Sequence, residues 1–239
     1  MMTTRTIVLF VAVIAVASAA RASVPIVVET GAGRRLALSR VADAGEELKK
    51  GNIAAATRDV DEALRDDPKS WPALYMRAQI FASQGKYDRA IQDCNEALHL
   101  YPGFVEVALL RARINARLGK YAEALKEFNY LISLHPRRVT LARALSDRAW
   151  FEATCPNPSF RDGQQAVKDA KAACSIMMWK DENMIDTLAA AYAETGDFES
   201  AVRYTAQALA VKGVSPQDAK VFNAHLALFQ QSKRFPVSQ

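Results

Sequence analysis

Small and apolar residues recur at fixed positions in four segments of the chain, with polar residues between them. Each segment opens with a glycine and has an alanine five positions later, and the first three segments begin 34 residues apart. In those three, a proline follows 17 residues after the glycine. A generic amphipathic helix does not give such regular matches, so the pattern indicates an internal repeat. The segments are GNIAAATRDVDEAL (51–64), GKYDRAIQDCNEAL (85–98), GKYAEALKEFNYLI (119–132) and GDFESAVRYTAQAL (196–209).

The recurring residues have physical roles in a hairpin. Glycine permits the turn between two helices, alanine lets their backbones approach, and proline stops the second helix. With glycine at unit position 15, alanine at 20, alanine or leucine at 27 and proline at 32, the repeat resembles the tetratricopeptide family. The resemblance implies an all-α fold, a right-handed α-solenoid of helix-turn-helix hairpins that ends in a capping helix. It covers about 195 residues and is similar to exported bacterial members of the family.

In this frame the chain contains five repeat units. The fourth keeps the spacing of its second-helix alanines but holds about eight extra residues, which we place between its two helices. The units run over 37–70, 71–104, 105–138, 139–181 with an inserted loop at 154–162, and 182–215, followed by a capping helix at 216–232 and a tail at 233–239.

The first 22 residues have the features of a signal peptide: Arg5, an apolar run of about 15 residues, and then small residues. Two A-x-A sites predict cleavage before residue 20 or residue 23. The run is shorter than the ~20 residues of a membrane span, which disfavours an uncleaved anchor. We therefore expect an exported protein, periplasmic or secreted, without a stable membrane anchor. Residues 23–36 fit no unit; we expect a poorly ordered arm there, with a strand at Val24 to Val28 as the alternative.

Composition and charge argue against several functional classes. Half of the residues are hydrophobic and only 8% are aromatic, which favours closely packed helices. Loss of the signal peptide removes two arginines and no acid, so the formal charge falls from +5 to +3. That charge is too small to indicate a nucleic-acid partner.

The sequence contains no convincing catalytic constellation. His99, His135 and His225 lack metal-ligand spacing, and we expect the first two to lie near helix ends. The acid pairs Asp61-Glu62, Asp66-Asp67 and Glu46-Glu47 suit a solvated helical face. We therefore predict no enzyme activity, no cofactor and no metal.

The three cysteines are predicted to be structural thiols. Cys94 falls at unit position 24, among core positions, which predicts a small buried hydrophobe of low reactivity. Its neighbours Asp93, Asn95 and Glu96 are expected to face outward. A bridge between Cys155 and Cys174 is disfavoured, because the latter lies some 11 residues into its helix.

The family resemblance also implies a binding surface. Such stacks bind peptides or partner helices in a concave groove lined by first-helix positions 2, 5, 9, 12 and 13. At positions 5 and 9 of the first unit, Val41 and Gly45 replace the lysine and asparagine of the family's clamp for C-terminal carboxylates, so that kind of binding is unsupported. Trp150 at position 12 is either a groove anchor or a core residue. The candidate groove residues are Tyr75, Gln79, Arg113, Arg117, Arg143, Asp147 and Phe151.

Charge is distributed unevenly over the predicted stack. Residues 105–150 hold nine basic and four acidic residues, a net +5, whereas residues 37–70 have a net charge of −2. Arg113, Arg117 and Arg143 either bind carboxylates of an acidic partner or keep an apolar surface soluble. The function expected is non-catalytic binding of a protein or peptide. The alternative is an accessory or scaffold subunit of an envelope complex, and the oligomeric state stays open.

Overall fold

The computed structural model describes residues 31–236, and all the regular structure in that range is helical. The predicted signal peptide and residues 23–30 of the arm lie outside the described residues. The helices are α1 (Ala32–Lys49), α2 (Ile53–Asp66), α3 (Trp71–Ser83), α4 (Tyr87–Leu100), α5 (Val105–Arg117), α6 (Tyr121–Ser133), α7 (Arg138–Thr154), α8 (Gly163–Ile176), α9 (Glu182–Thr195), α10 (Phe198–Leu209) and α11 (Pro216–Gln230), with a 3₁₀ helix at Pro158–Phe160. The all-α fold is therefore confirmed.

The arm predicted for residues 23–36 is corrected at its C-terminal end, because α1 begins at Ala32. Gly33 explains how the extra turn is accommodated. A Cβ atom at this position would lie 2.5 Å from the carbonyl oxygen of Asp66, the last residue of α2. The absence of a side chain thus lets the start of α1 lie against the end of α2.

In four of the hairpins, the turn between the two helices contains a glycine in the left-handed backbone conformation. Gly51, Gly85, Gly119 and Gly196 have φ between 73° and 86°, a region that other residues rarely adopt. The hairpin of the fourth unit differs, since Arg161 stands five residues before Ala166, where the other units have their glycine. Its connection is instead built from the 3₁₀ turn and from Asp162, whose carboxylate accepts from the N–H of Gln165 and so caps α8.

The described residues form two bodies, 31–114 and 115–236. In the N-terminal body α1 packs on α2 and α3, α2 packs on α3, and α3 packs on α4. The small residues predicted at the helix seams, Ala56, Ala63, Ala90 and Ala97, are all fully buried. Alanine is suited to this position because it lets two helix backbones approach without loss of packing density.

In the C-terminal body the helices pack mainly on their sequence neighbours from α6 to α11, and α7 also packs on α9. Helix α9 is central, with every residue from Met184 to Ala191 buried. The last helix, α11, contributes the buried rings of Phe222 and Phe229. It ends at Gln230, two residues before the limit predicted for the capping helix.

Cys94 is fully buried among the core side chains, as predicted from its unit position. The expectation for its neighbours is only partly correct. Asn95 and Glu96 are exposed, but Asp93 is buried. Its carboxylate leaves the solvent because it pairs with Arg77 on the adjacent helix α3.

Candidate functional site

The candidate groove residues of the N-terminal body lie on α3 and α5. Tyr75 and Gln79 are one turn apart on α3, and both are half-buried. The ring of Tyr75 packs edge-on against Phe104 with centroids 5.5 Å apart. Arg113 is exposed on α5. A partner could therefore reach part of the Tyr75 side chain and the exposed side chain of Arg113.

The candidates in the C-terminal body differ from one another in exposure. Arg117 and Arg143 are exposed, whereas Asp147 is half-buried. Phe151 is only 5% exposed and lies among the rings of Tyr121, Phe128 and Phe160. The prediction that Phe151 is an accessible anchor is therefore wrong, since its ring belongs to the core.

An arginine that recurs in three of the repeat units shows why Phe151 was assigned to the wrong unit position. Arg77 donates to Asp61, 16 residues before it, and Arg111 donates to Asn95 across the same interval of 16. Arg148 makes the corresponding contact with Asn129, but across 19 residues. Three of the extra residues of the fourth unit therefore precede Arg148.

The contact to the following helix locates the other extra residues. Arg77 reaches Asp93 across 16 residues, while Arg148 reaches Asp169 across 21. Five extra residues thus lie after Arg148, in the connection to α8. The insertion is divided between the lengthened start of α7 and the loop, which corrects the prediction that all of it lies between the helices.

The corrected register changes the assignments on α7 by three positions. Arg143 moves from unit position 5 to position 2, which the family resemblance still places in the groove. Asp147 and Phe151 move to positions 6 and 10, outside the set of groove positions. Trp150 takes position 9 and is 37% exposed. Trp150 therefore replaces Phe151 as the aromatic candidate on this helix.

The arginine clamps were missed at the sequence level, although an Arg-Ala dipeptide recurs at unit positions 7 and 8 of the corrected register, at 77–78, 111–112 and 148–149. Arg77 donates through Nε and Nη2 to the two oxygens of Asp93, each at 2.8 Å. This bidentate hydrogen bonding raises the pKa of the Arg77 guanidinium, and the charge of Asp93 acts in the same direction. The clamps tie successive helices together.

The acid pairs of the first unit also have structural partners. Arg40 on α1 donates to Asp66 at 2.6 Å and to Glu62, both on α2. Asp61 accepts from Arg77 at 3.3 Å. The interpretation of these carboxylates as merely solvated is therefore incomplete, because three of them join helices.

Glu152 is a carboxylate whose titration is altered by its burial. It is buried on α7, and its Oε2 has no hydrogen-bond partner. Burial raises its pKa from 4.5 to about 7; the nearby Arg148 opposes this shift, and Asp169 and Asp162 add to it. Glu152 therefore exchanges a proton near neutral pH at the base of the inserted connection.

The histidines and cysteines have separate surroundings. His99 is exposed in the last turn of α4, and His135 is exposed just after α6, so both lie near helix ends as predicted. His225 pairs through Nδ1 with Asp186 at 2.7 Å. The three cysteines are buried and form no disulfide with one another. Across residues 31–236, no three His, Cys, Asp or Glu side chains form a group that could hold a metal ion.

Two overlapping sequence matches cover most of the N-terminal half and the start of the C-terminal body. Residues 41–105 and residues 81–147 each match the tetratricopeptide repeat family. The chain is a tetratricopeptide repeat protein. None of the curated proteins matches it significantly.

Solved structures with the same fold include three that cover about four fifths of this protein. PilW, a widely conserved type IV pilus biogenesis factor, is 19% identical over 82% of this chain and 86% of its own, with a TM-score of 0.67. A thermophilic TPR protein from Thermus thermophilus is 18% identical over 80% of this chain and 100% of its own, also at 0.67. The structure of the APC/C hetero-tetramer Cut9-Hcn1 includes a chain that is 19% identical over 82% of this protein, with a TM-score of 0.69. This protein covers only 36% of that chain.

At the level of its family, this tetratricopeptide repeat protein has a protein-interaction or scaffold role. Proteins of this kind are generally non-catalytic interaction modules. Among residues 31–236, no helix combines the length and the apolar character needed to cross a bilayer.

Proposed function

We propose that this protein is a non-catalytic module that binds an acidic protein or peptide through surface arginines, namely Arg113 of the N-terminal body and Arg117 and Arg143 of the C-terminal body. The observation that carries the proposal is the contrast between two sets of arginines in the same helices. Arg148 inserts between helices and contacts Asp169, whereas the three proposed residues have exposed side chains. Arginines on the surface can present their fork of donors to carboxylates of a partner.

The surrounding charge supports an acidic partner. Residues 105–150 have an excess of five basic residues, and this excess attracts acidic segments and raises their rate of association. Tyr75 and Gln79 lie in the same body as Arg113, and Trp150 lies in the same body as Arg117 and Arg143; all three side chains are partly accessible. Aromatic and arginine side chains together are the residue types that dominate binding energy at protein interfaces.

The experiment that tests this surface is a pull-down from the exported fraction with wild-type protein and with an Arg113→Glu, Arg117→Glu, Arg143→Glu triple variant. We expect the triple variant to recover at least about ten-fold less partner than the wild-type protein does. This difference should become smaller at high salt. Equal recovery of every partner by both proteins would contradict the assignment.

A charge-matched control separates a specific surface from overall charge. Lys168, Lys212 and Lys220 are exposed in the C-terminal body and lie outside the proposed surface. Replacing all three by glutamate changes the net charge by the same amount as the arginine triple variant. This control should retain the partner if the arginines act at a defined site.

The second candidate function is a scaffold subunit of an envelope assembly that binds through its convex face or its end helices. PilW, of similar fold, is described as a pilus biogenesis factor, and Cut9 is part of a hetero-tetramer, which supports a role within an assembly. In this case the arginine triple variant should bind normally. Substitutions on the exposed side of α11, such as Val221→Glu with Asn223→Arg, should then abolish association.

Export is part of the proposal and has its own test. N-terminal sequencing of the protein from the exported fraction should give a mature chain that starts at residue 20 or residue 23. An intact N-terminus in a protein retained in the cytoplasm would refute export while leaving the binding proposal to be judged separately.

A further inference from the structure

The residues that follow α11 turn back onto the C-terminal body. Ser232 has a φ of 54°, and the N–H of Lys233 donates to the carbonyl of Leu228, which ends the helix. The segment 233–236 then continues without regular secondary structure. We call residues 231–236 the tail segment.

One arginine binds the backbone of the tail segment. Arg161 donates through Nη1 to the carbonyl of Phe235 at 3.1 Å and through Nη2 to the carbonyl of Pro236 at 2.9 Å. The Arg161 side chain is only 5% exposed. Backbone carbonyls are acceptors that every peptide has, so this contact does not require a particular sequence.

Arg161 is held in place by groups of the body itself. Its Nε donates to the carbonyl of Cys155 at 2.6 Å, and Nη1 donates to the carboxylate of Glu194 at 2.8 Å. These contacts orient the guanidinium independently of the tail. A donor fixed in this way loses little side-chain entropy when a peptide binds.

An aromatic cluster receives the side chain of Phe235. The ring centroid of Phe235 lies 5.0 Å from that of His225, 5.4 Å from that of Trp150 and 5.8 Å from that of Phe229. The arrangements are edge-to-face, the geometry that aromatic pairs favour. The cluster therefore selects an aromatic residue at this point of a peptide.

An acidic group lies beside the residue that precedes the phenylalanine. Arg234 Nη1 is 3.9 Å from Glu194 Oε1, while the other oxygen of Glu194 accepts from Arg161. Glu194 is mostly buried, so its charge is screened less than that of a surface carboxylate. The position before the aromatic residue thus favours a basic side chain.

We propose that Trp150, Arg161, Glu194 and His225 form a peptide-binding site, which we call the tail site, for a partner segment of the type basic-aromatic-proline. The protein's own Arg234-Phe235-Pro236 occupies this site and is displaced when the partner binds. The inference rests on the proposed role as a binding module, but it does not depend on the three exposed arginines. The tail segment acts as an internal competitor that lowers the apparent affinity of every ligand of the tail site by the same factor.

The test uses the whole chain and a fluorescein-labelled peptide with the sequence of residues 231–236, capped at both ends. Fluorescence anisotropy is measured with wild-type protein and with the Phe235→Ala variant. We expect the variant to bind the peptide at least about ten-fold more tightly, because a tethered tail competes at a high effective concentration. A peptide with alanine in place of phenylalanine should not bind either protein.

Two further variants show where the peptide binds. Trp150→Ala, added to Phe235→Ala, should abolish binding, whereas Tyr130→Ala, which removes an exposed aromatic ring on α6, should leave it unchanged. If Phe235→Ala unfolds at the assay temperature, Phe235→Leu keeps an apolar side chain and removes the ring. Circular dichroism confirms the fold of each protein.

Two results would overturn the tail site. A folded Phe235→Ala or Phe235→Leu variant that does not bind the peptide would show that the tail segment is only a structural brace. Equal affinity of wild type and variant would show that the tail does not block the site. The arginine triple variant should bind this peptide normally, so failure of the basic surface and failure of the tail site are distinguishable.

Discussion

Arg148 on α7 donates to the buried carboxylate of Asp169 on α8 at 2.6 Å, although 21 residues separate them. The equivalent pair, Arg77 and Asp93, is joined by two hydrogen bonds of 2.8 Å across 16 residues. The clamp has thus been kept while the connection between its helices became longer. A buried carboxylate requires its charged partner, and this requirement fixes how α7 and α8 pair regardless of the loop between them.

The first prediction concerns this clamp. Replacing Arg148 by alanine should lower the free energy of unfolding by about 3 kcal/mol, because Asp169 then stays buried without its guanidinium. Urea denaturation of the purified variant measures the change. Arg143→Ala on the same helix removes an exposed arginine and should cost less than about 0.5 kcal/mol.

A double variant separates the clamp from general damage to the helix. Adding Asp169→Ala to Arg148→Ala removes the unpaired charge and should restore part of the lost stability. If the double variant is less stable than Arg148→Ala by the full cost of Asp169→Ala alone, the two residues are not coupled.

The second prediction tests the corrected register of α7. Phe151→Ala should lower the free energy of unfolding by about 3 to 4 kcal/mol, because it leaves a cavity among buried rings. Trp150→Ala removes a larger side chain from a partly exposed position and should cost less, about 1 kcal/mol. Thermal or urea unfolding of the two variants compares them directly. A larger loss for Trp150→Ala would support the uncorrected register.

The third prediction concerns pH. The pKa of Glu152 is raised to about 7 in the folded state, whereas the unfolded chain has the ordinary value near 4.5. Below pH 4.5 both states are protonated and Glu152 has no effect on stability. Between pH 4.5 and 7 the unfolded chain releases the proton first, so this residue lowers stability as pH rises, and the loss stays constant above pH 7.

The Glu152→Gln variant should not show the loss of stability that the ionisation of Glu152 causes in the wild type. At pH 8 the variant should be more stable than wild type by about 2 kcal/mol, whereas at pH 4 the two should be similar. Urea unfolding at a series of pH values gives the difference. Glu96→Gln, at an exposed position on α4, is the control for the substitution itself. A Glu152→Gln variant whose stability relative to wild type is the same at pH 4 and pH 8 would show that Glu152 titrates normally.

The fourth prediction concerns the thiols. Burial raises the pKa of Cys174 to about 12 and also raises the pKa of Cys155, while Cys94 is fully buried. A thiol reagent at pH 8 should therefore label the native protein only as fast as it opens, whereas unfolded protein should react at all three thiols at once. Mass spectrometry of the labelled peptides identifies each site. Rapid labelling of Cys94 in folded protein would overturn its assignment to the core.

The sequence predicted the repeated hairpins well, because their determinants are local. A glycine with positive φ, an alanine at a helix seam and a proline after the second helix act within about 20 residues of one another. For that reason Gly85, Ala90 and Cys94 could be assigned correctly from spacing alone. The candidate groove residues on α3 and α5 follow from the same regular frame.

The fourth unit is where reasoning from the sequence failed. An insertion can be placed at either end of a helix without changing the count of residues, so spacing could not show that three of the extra residues precede Arg148. Only the contacts of Arg148 with Asn129 and Asp169 decide the register. Phe151 and Trp150 then exchange the roles of groove and core.

The repeated tetratricopeptide hairpins can be predicted from the sequence, since each hairpin is specified by residues close together in the chain. The burial of Asp93, the position of Phe151 in the core and the binding of the tail segment's backbone by Arg161 follow only from the folded structure. These features depend on partners up to 75 residues away. Such contacts leave no period in the sequence, because each is made once, between groups that folding brings together.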